Sequence, residues 1–498
     1  MVKKPLIAIL IVCSIIAETW AIQQLQVKWT FNASAQFPGK VFGANFQAGI
    51  TVFDIDADGK NEVIFGTRTG DSKRIWCTDQ SGRLKWVFPP IYESGYPGDP
   101  QTKVSIVDVN NDGKYELAIA GRGAKLHVLK SDGSLMWYWN NTYQRSMRGA
   151  PQAYDVDGDG YVEFFLNDDG GQIYRVSHDG NLVWQSVAVA GGNRCHPTVA
   201  DIDRDGEYEV LVASQDNNLY CLRSSTGEEK WRFDTGARMQ ANPVIVADVN
   251  KDGEYEAIVW NDAPVNSVFA VSFFGTEIWR WIPPREGSIQ LCQAMGDIDG
   301  DGNYEMAIMS ASGLYLISIA GSGPRLRWEL NLSYWIEQGV LPAGAVPNSL
   351  SSYQLIADIN GDDKQEILWL APYPIVTDAA TGQPIAYYIN EHLRLKKNQE
   401  SGGWWGDVDN DGKSEWIVEL VGNTDAQTQL YCVTMNGKFP AKSPWPEYYH
   451  SAYPAKHQQS QTWLTLKAAY SNSLWFPMPE VLLWPLLAAL SAYLLHRR

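Results

Sequence analysis

Short apolar runs recur along the chain in a fixed order of textures. Runs such as EVIFG from Glu62 and EVLVAS from Glu209 read as short apolar strands. NLYCLR from Asn218 and QIYRVS from Gln172 alternate with the period of two expected of a strand. A glycine turn then leads into a strand carrying tryptophan: SGRLKWVF, DGSLMWYW, DGNLVWQS, TGEEKWRF and FGTEIWRW. A further apolar strand precedes each unit and runs into an acidic loop. The order is strand A, acidic loop, strand B, strand C, glycine turn, strand D.

The acidic loop is the most regular part of the unit. DIDADGKNEV begins at Asp54 and has relatives at Asp108, Asp155, Asp201, Asp248, Asp297, Asp358 and Asp407, eight copies spaced 46 to 61 residues apart. Oxygen-bearing side chains occupy loop positions 1, 3, 5 and 9. The first four sets are Asp54, Asp56, Asp58, Glu62; Asp108, Asn110, Asp112, Glu116; Asp155, Asp157, Asp159, Glu163; and Asp201, Asp203, Asp205, Glu209. The second four are Asp248, Asn250, Asp252, Glu256; Asp297, Asp299, Asp301, Glu305; Asp358, Asn360, Asp362, Glu366; and Asp407, Asp409, Asp411, Glu415. A four-strand unit at this period predicts an all-β, eight-bladed β-propeller. VKWTF at Val27–Phe31 matches strand D but precedes the first loop, while the last unit has only GKFPAKSPW where its own strand D belongs. The N-terminal strand is therefore expected to complete the last blade and close the ring.

Composition agrees: 45% hydrophobic residues, 43 glycines, 21 tryptophans and 24 tyrosines describe a turn-rich, aromatic globular chain. The ends differ from the middle. Lys3 and Lys4 precede an apolar stretch to Ala17, so 1–21 reads as a secretory signal. Residues 22–460 hold the propeller and 461–473 a linker. Residues 474–498 form a hydrophobic tail ending in Arg497 and Arg498, expected to anchor the chain at the cell surface or to sort it there, with secretion as the alternative. Its apolar run from Val481 to Leu495 is shorter than a bilayer span. Beyond the signal lie Cys77, Cys195, Cys221, Cys292 and Cys432, whose spacing fits no metal-binding pair and predicts no disulfide framework.

Oxygens at positions 1, 3 and 5, glycine at 6, a carbonyl at 7 and a last carboxylate describe a loop wrapped around a hard cation, and flexible oxygen coordination points to calcium. The glutamate stands at 9 and no helices flank the loop, so this is not an EF-hand. Five loops with four carboxylates and three with three hold 29 of the 57 acidic residues. Eight divalent ions would nearly cancel the net charge of −17. Asp363 replaces the loop glycine in the seventh copy.

The DxDxDGxxE loops followed by apolar strands resemble the FG-GAP and VCBS-type repeats of integrin-α-like propellers and microbial surface proteins, over about Val27–Gln459. That resemblance implies calcium in the loops, up to eight structural ions, and the segment WPEYYHSAYPAKHQ resembles the closing segment of such exported propellers. The eight copies also resemble calcium-binding rhamnogalacturonan lyases, and the tryptophan strands resemble quinone-dependent propeller dehydrogenases.

Function is expected on the face opposite the acidic loops. The segments entering strand A there bring Arg145, Arg148, Arg194, His196, Arg238 and Arg285 from four consecutive blades, a candidate site for an anionic ligand. Tyr92, Tyr96, Trp335, Trp404 and Trp405 are candidate stacking surfaces for sugars. The expected partner is an extracellular glycan or protein, with the membrane engaged through the tail and no nucleic acid. No catalytic residue is named by any motif. A lyase acting on acidic sugars and a dehydrogenase-like propeller stay open as alternatives.

Overall fold

The computed structural model describes residues between Gln23 and Thr434. Positions 1–22 and 435–498 lie outside the described residues, as do internal segments of which the longest are 90–103, 338–353 and 388–402. The signal, linker, tail and closing segment named above therefore lie outside them, together with Cys195 and Cys292.

Eight antiparallel sheets form in chain order, each with its strands in the order A–B–C–D. Blade 1 is Thr51–Phe53, Glu62–Gly70, Arg74–Asp79 and Leu84–Phe88; blade 4 is Thr198–Ala200, Glu209–Ala213, Asn218–Arg223 and Glu229–Asp234. Blade 8 has Gly403–Gly406, Glu415–Val421 and Thr428–Thr434, and its outer strand is Gln26–Asn32 from the N-terminus, paired antiparallel to Thr428–Thr434. The expected eight blades and their closure are thus present. Two additions were not expected: Gln23–Gln24 pairs parallel with Pro384–Tyr387, and Phe42–Ala44 lengthens the blade 1 sheet.

The strand textures follow from position. In blade 4 every residue of strand B is buried because neighbouring blades cover both its faces, whereas strand D is half-exposed at the rim. The core lies between blades: Trp260 and Ala270 of blade 5, for example, pack with Met306, Ile308 and Tyr315 of blade 6. Similar apolar wedges join blade 8 to 1 and each pair onward to 6 and 7. Cys77, Cys221 and Cys432 are free, buried strand-C residues opposite Trp86, Trp231 and Trp29.

In seven blades one strand-D tryptophan lies against the C–D turn glycine of the next blade. Trp29 meets Gly82, Trp86 meets Gly133, Trp137 meets Gly180 and Trp184 meets Gly227. Trp231, Trp279 and Trp328 continue the series at Gly275, Gly323 and Gly382. A β-carbon on Gly133 would stand 2.6 Å from Trp86 Cδ2, and the Gly133 φ of +80° is itself unfavourable for other residues. Trp86, Trp184 and Trp328 also donate Nε1–H to the turn carbonyls of Ser131, Ser224 and Ala379 at 3.0, 2.8 and 2.8 Å. Blade 7 has Ala386 in the tryptophan position.

Every C–D pair is also interrupted at one equivalent place. In blade 1, Cys77 pairs with Trp86 and Thr78 with Leu84, so Lys85 is left unpaired as a β-bulge. The same shift leaves Met136, Val183, Lys230, Ile278, Arg327, Ile385 and Lys28 as the bulged residues of the other blades.

Candidate metal centres and the opposite rim

The A–B loops are built alike. At position 6, Gly59, Gly113, Gly160, Gly206, Gly253 and Gly302 take φ of +81° to +96°. Their N–H groups donate to the position 1 carboxylate at 2.9–3.1 Å. The position 5 carboxylate accepts from the N–H at position 7, as Asp58 does from Lys60 at 2.8 Å. These hydrogen bonds turn the loop back on itself and gather the carboxylates.

Asp54, Asp56 and Asp58 bring one oxygen each within 4.8 Å of one another, as do Asp297, Asp299 and Asp301. So do Asp155, Asp157 and Glu163; Asp201, Asp203 and Glu209; and Asp407, Asp409 and Glu415. Among the described residues, four aspartate oxygens of the loops, Oδ1 of Asp201, Asp203, Asp248 and Asp409, are buried with no hydrogen-bond partner. A buried carboxylate oxygen without a donor is costly, and a bound cation removes that cost. The donor set is all oxygen, which suits a hard divalent ion. These acidic clusters can therefore bind metal. Asp358, Asn360, Asp362 and Asp363 of the seventh loop lie outside the described residues.

The position 9 glutamates have a second role. Each is almost fully buried, and Oε2 of Glu62, Glu116, Glu163, Glu209, Glu256, Glu305 and Glu415 accepts the N–H of loop position 2 at 2.9–3.2 Å. This ties the end of strand A to the start of strand B. Burial pushes Glu116, Glu163, Glu209 and Glu256 up to about 7.

A set of cations missed in the sequence stands over these loops. Lys85 Nζ lies 2.8 Å from Asp56 and 2.7 Å from Glu62; Lys230 lies 2.6 Å from Asp203 and 2.8 Å from Glu209. Lys28 reaches Asp409 and Glu415 at 2.8 Å each. Arg327 contacts Asp299 and Glu305, and Arg175 contacts Asp157 and Glu163. Burial opposes protonation of Lys28, Lys85 and Lys230, but their carboxylate hydrogen bonds prevail and hold the ammonium above the usual lysine range. The signal that would have found them is the alternation of Lys or Arg with Met, Val or Ile directly before the strand-D tryptophan.

At the opposite rim the arginines meet acids of the blade they lead into. Arg148 Nε stands 2.9 Å from Asp169 and Arg238 Nε 3.1 Å from Asp262, while Arg285 pairs with Glu329. Arg145 is exposed, its guanidinium 5.4 Å from the Tyr143 ring. His196 is half-buried, and Arg194 lies outside the described residues. Trp404 is buried in the core between blades 8 and 1. Tyr92 and Tyr96, and the side chains of Trp335 and Trp405, lie outside the described residues. Among the described residues no helix is long and apolar enough to cross a membrane.

Residues 171–259 match the family described as the lambda-carrageenase beta-propeller domain. No curated protein matches in sequence. Among solved structures, the biofilm matrix protein Bap1 of V. cholerae is similar at a TM-score of 0.61 and 14% identity, covering 84% of this chain and 93% of that one. Sqt1 of Saccharomyces cerevisiae gives a TM-score of 0.54 at 11% identity, with 83% and 100% covered. Quinohemoprotein alcohol dehydrogenase of Comamonas testosteroni gives 0.52 at 11% identity, with 86% and 78% covered. At such identities the likeness shows the fold, and the chain is an all-β, eight-bladed β-propeller with acidic loops on one side of its ring.

Proposed function

We propose that the chain is an exported, surface-held β-propeller that binds an extracellular acidic glycan, with calcium bracing its acidic loops. The observation that carries the glycan reading is the match of residues 171–259 to a propeller domain named for a carrageenase. Similarity to a biofilm matrix protein accords with a place outside the cell. Export and retention rest on the signal at 1–21 and the tail at 474–498. An FG-GAP or VCBS-type kinship belongs to the same reading, carried by the loop pattern.

The arginines of the opposite rim suit an anionic sugar. In the Arg238–Asp262 and Arg285–Glu329 pairs the arginine is about half exposed, 56% and 52%. Exposed ion pairs contribute only about 0–1 kcal/mol, so a carboxylate or sulfate on a glycan can compete for the guanidinium.

An array of acidic and neutral polysaccharide fragments, probed in calcium buffer with the wild type and with Arg148→Ala and Arg238→Ala, tests this. Retention of acidic glycans, weakened on the order of tenfold by each substitution, is expected. No retention, or retention indifferent to both changes, overturns the rim as the site. Ultraviolet absorbance of an unsaturated uronide during incubation would replace binding by the lyase reading. Melting with chelator and with added calcium tests the ion: the calcium form should melt higher, and equal melting temperatures refute it.

A further inference from the structure

The bulged strand-D residue and loop position 3 vary together in seven of the eight blades. Where position 3 is aspartate, in blades 1, 4, 6 and 8, the bulge carries Lys85, Lys230, Arg327 and Lys28. Where position 3 is Asn110, Asn250 or Asn360, in blades 2, 5 and 7, the bulge carries Met136, Ile278 and Ile385. Blade 3 has Asp157 with an apolar bulge, Val183. There the cation comes from strand C instead, as Arg175, at the place that Cys77, Val128, Cys221, Ala270, Leu316, Val376 and Cys432 occupy elsewhere.

The placement has a geometric cause. A bulge turns one side chain out of the ladder, and here it delivers the cation between positions 3 and 9. It contacts one oxygen of the position 3 aspartate and leaves the other: Lys230 holds Asp203 Oδ2, while Asp203 Oδ1 has no hydrogen-bond partner. In the two described asparagine loops the amide supplies the donor itself. Asn250 Nδ2 donates to Asp252 at 2.9 Å and to Glu256 at 3.2 Å, and Asn110 Nδ2 to Asp112 at 3.2 Å.

We infer that each blade sets positions 1, 3, 5 and 9 of its acidic loop to one common net charge, using a chain-borne counter-ion wherever position 3 is aspartate. With carboxylates ionised and only positions 1, 3, 5 and 9 counted, four carboxylates less one cation, or three carboxylates with none, leave three negative charges in each of the eight loops. The tethered cation serves positions 3 and 9, and the remaining oxygens face a divalent ion with the same charge in every blade. Arg175 is the strongest support, because the charge is restored from a different strand where the bulge cannot restore it.

A double-substitution cycle tests the inference in metal-free protein, so it is independent of glycan binding and of calcium occupancy. Lys85→Met should lower the melting temperature by about 2–4 °C. Adding Asp56→Asn to it recreates the arrangement of blade 2 and should restore most of the loss. Losses that simply add overturn the inference. The reverse pair guards against a blade 1 variant that fails to fold: Asn110→Asp should destabilise blade 2 and Met136→Lys should rescue it, and absence of rescue overturns the inference equally. Calcium titration of Lys85→Met adds a second readout. A loop with one more negative charge should bind calcium on the order of tenfold more tightly, and unchanged affinity counts against the charge match.

Discussion

Substituting Gly133 by alanine isolates what the tryptophan contacts between blades contribute. Two costs combine at this residue. Its φ of +80° imposes a left-handed backbone, about 1–2 kcal/mol for a residue with a β-carbon. That β-carbon would meet Trp86 Cδ2 at 2.6 Å and Cε3 at 2.8 Å, so the indole must move. Moving it breaks the 3.0 Å hydrogen bond from Trp86 Nε1 to Ser131 O, about 1 kcal/mol, and opens part of the apolar contact between blades 1 and 2. The expected loss is roughly 3–5 kcal/mol. Gly113→Ala is the control: its φ of +86° brings the same backbone cost, but no atom lies within 4 Å of the added carbon. About 1–2 kcal/mol is expected there. Equilibrium urea unfolding of both variants in chelator, followed by tryptophan fluorescence, gives the comparison. If Gly133→Ala costs no more than Gly113→Ala, the indole contacts carry no stability and the reasoning fails.

Two further outcomes follow from the closure and from the buried glutamates. Phe31→Ala on the N-terminal strand empties a site packed against Phe65 and Trp76, with ring centroids 5.5 and 5.9 Å away, and should cost about 3–5 kcal/mol in urea unfolding; an unchanged midpoint would show that this strand does not hold the ring. Burial raises Glu116 and Glu256 to about 7 in the folded chain, above their unfolded value, so the folded state keeps a proton that the unfolded state releases. Metal-free protein should therefore lose stability as pH rises from about 5 through 7, and a melting temperature that climbs over that interval contradicts the assignment.

Blade number and closure were legible because the loop motif has fixed internal spacing and the tryptophan strand is out of phase with it at the N-terminus. The counter-ions were hidden by distance along the chain: Lys85 answers Asp56 from 29 positions away, and Lys28 meets Glu415 across 387. A scan for short motifs cannot join such positions, although aligning the eight units against one another would have shown them varying together. The rim arginines were legible by their place before strand A, but the pairing of Arg148, Arg238 and Arg285 with Asp169, Asp262 and Glu329 depends on B–C turns and strand ends that only the blade register brings beside them. The strand-D tryptophans were legible as a recurring feature; their seat on the next blade's turn glycine required the ring.

The borrowed strand of blade 8 also orders events in time. Gln26–Asn32 leaves the ribosome before the four strands of blade 1, yet its partner Thr428–Thr434 is the last described strand to be made. Until then Trp29, Phe31 and Lys28 lack the blade 8 half of their surroundings. Seven blades can stack as they emerge, each on the one before. The ring becomes continuous only when Gln26–Asn32 meets Thr428–Thr434, so a chain stalled before Thr434 would expose an apolar, unpaired edge. Such an edge is prone to pairing with other chains, and closure of blade 8 is the step that removes it.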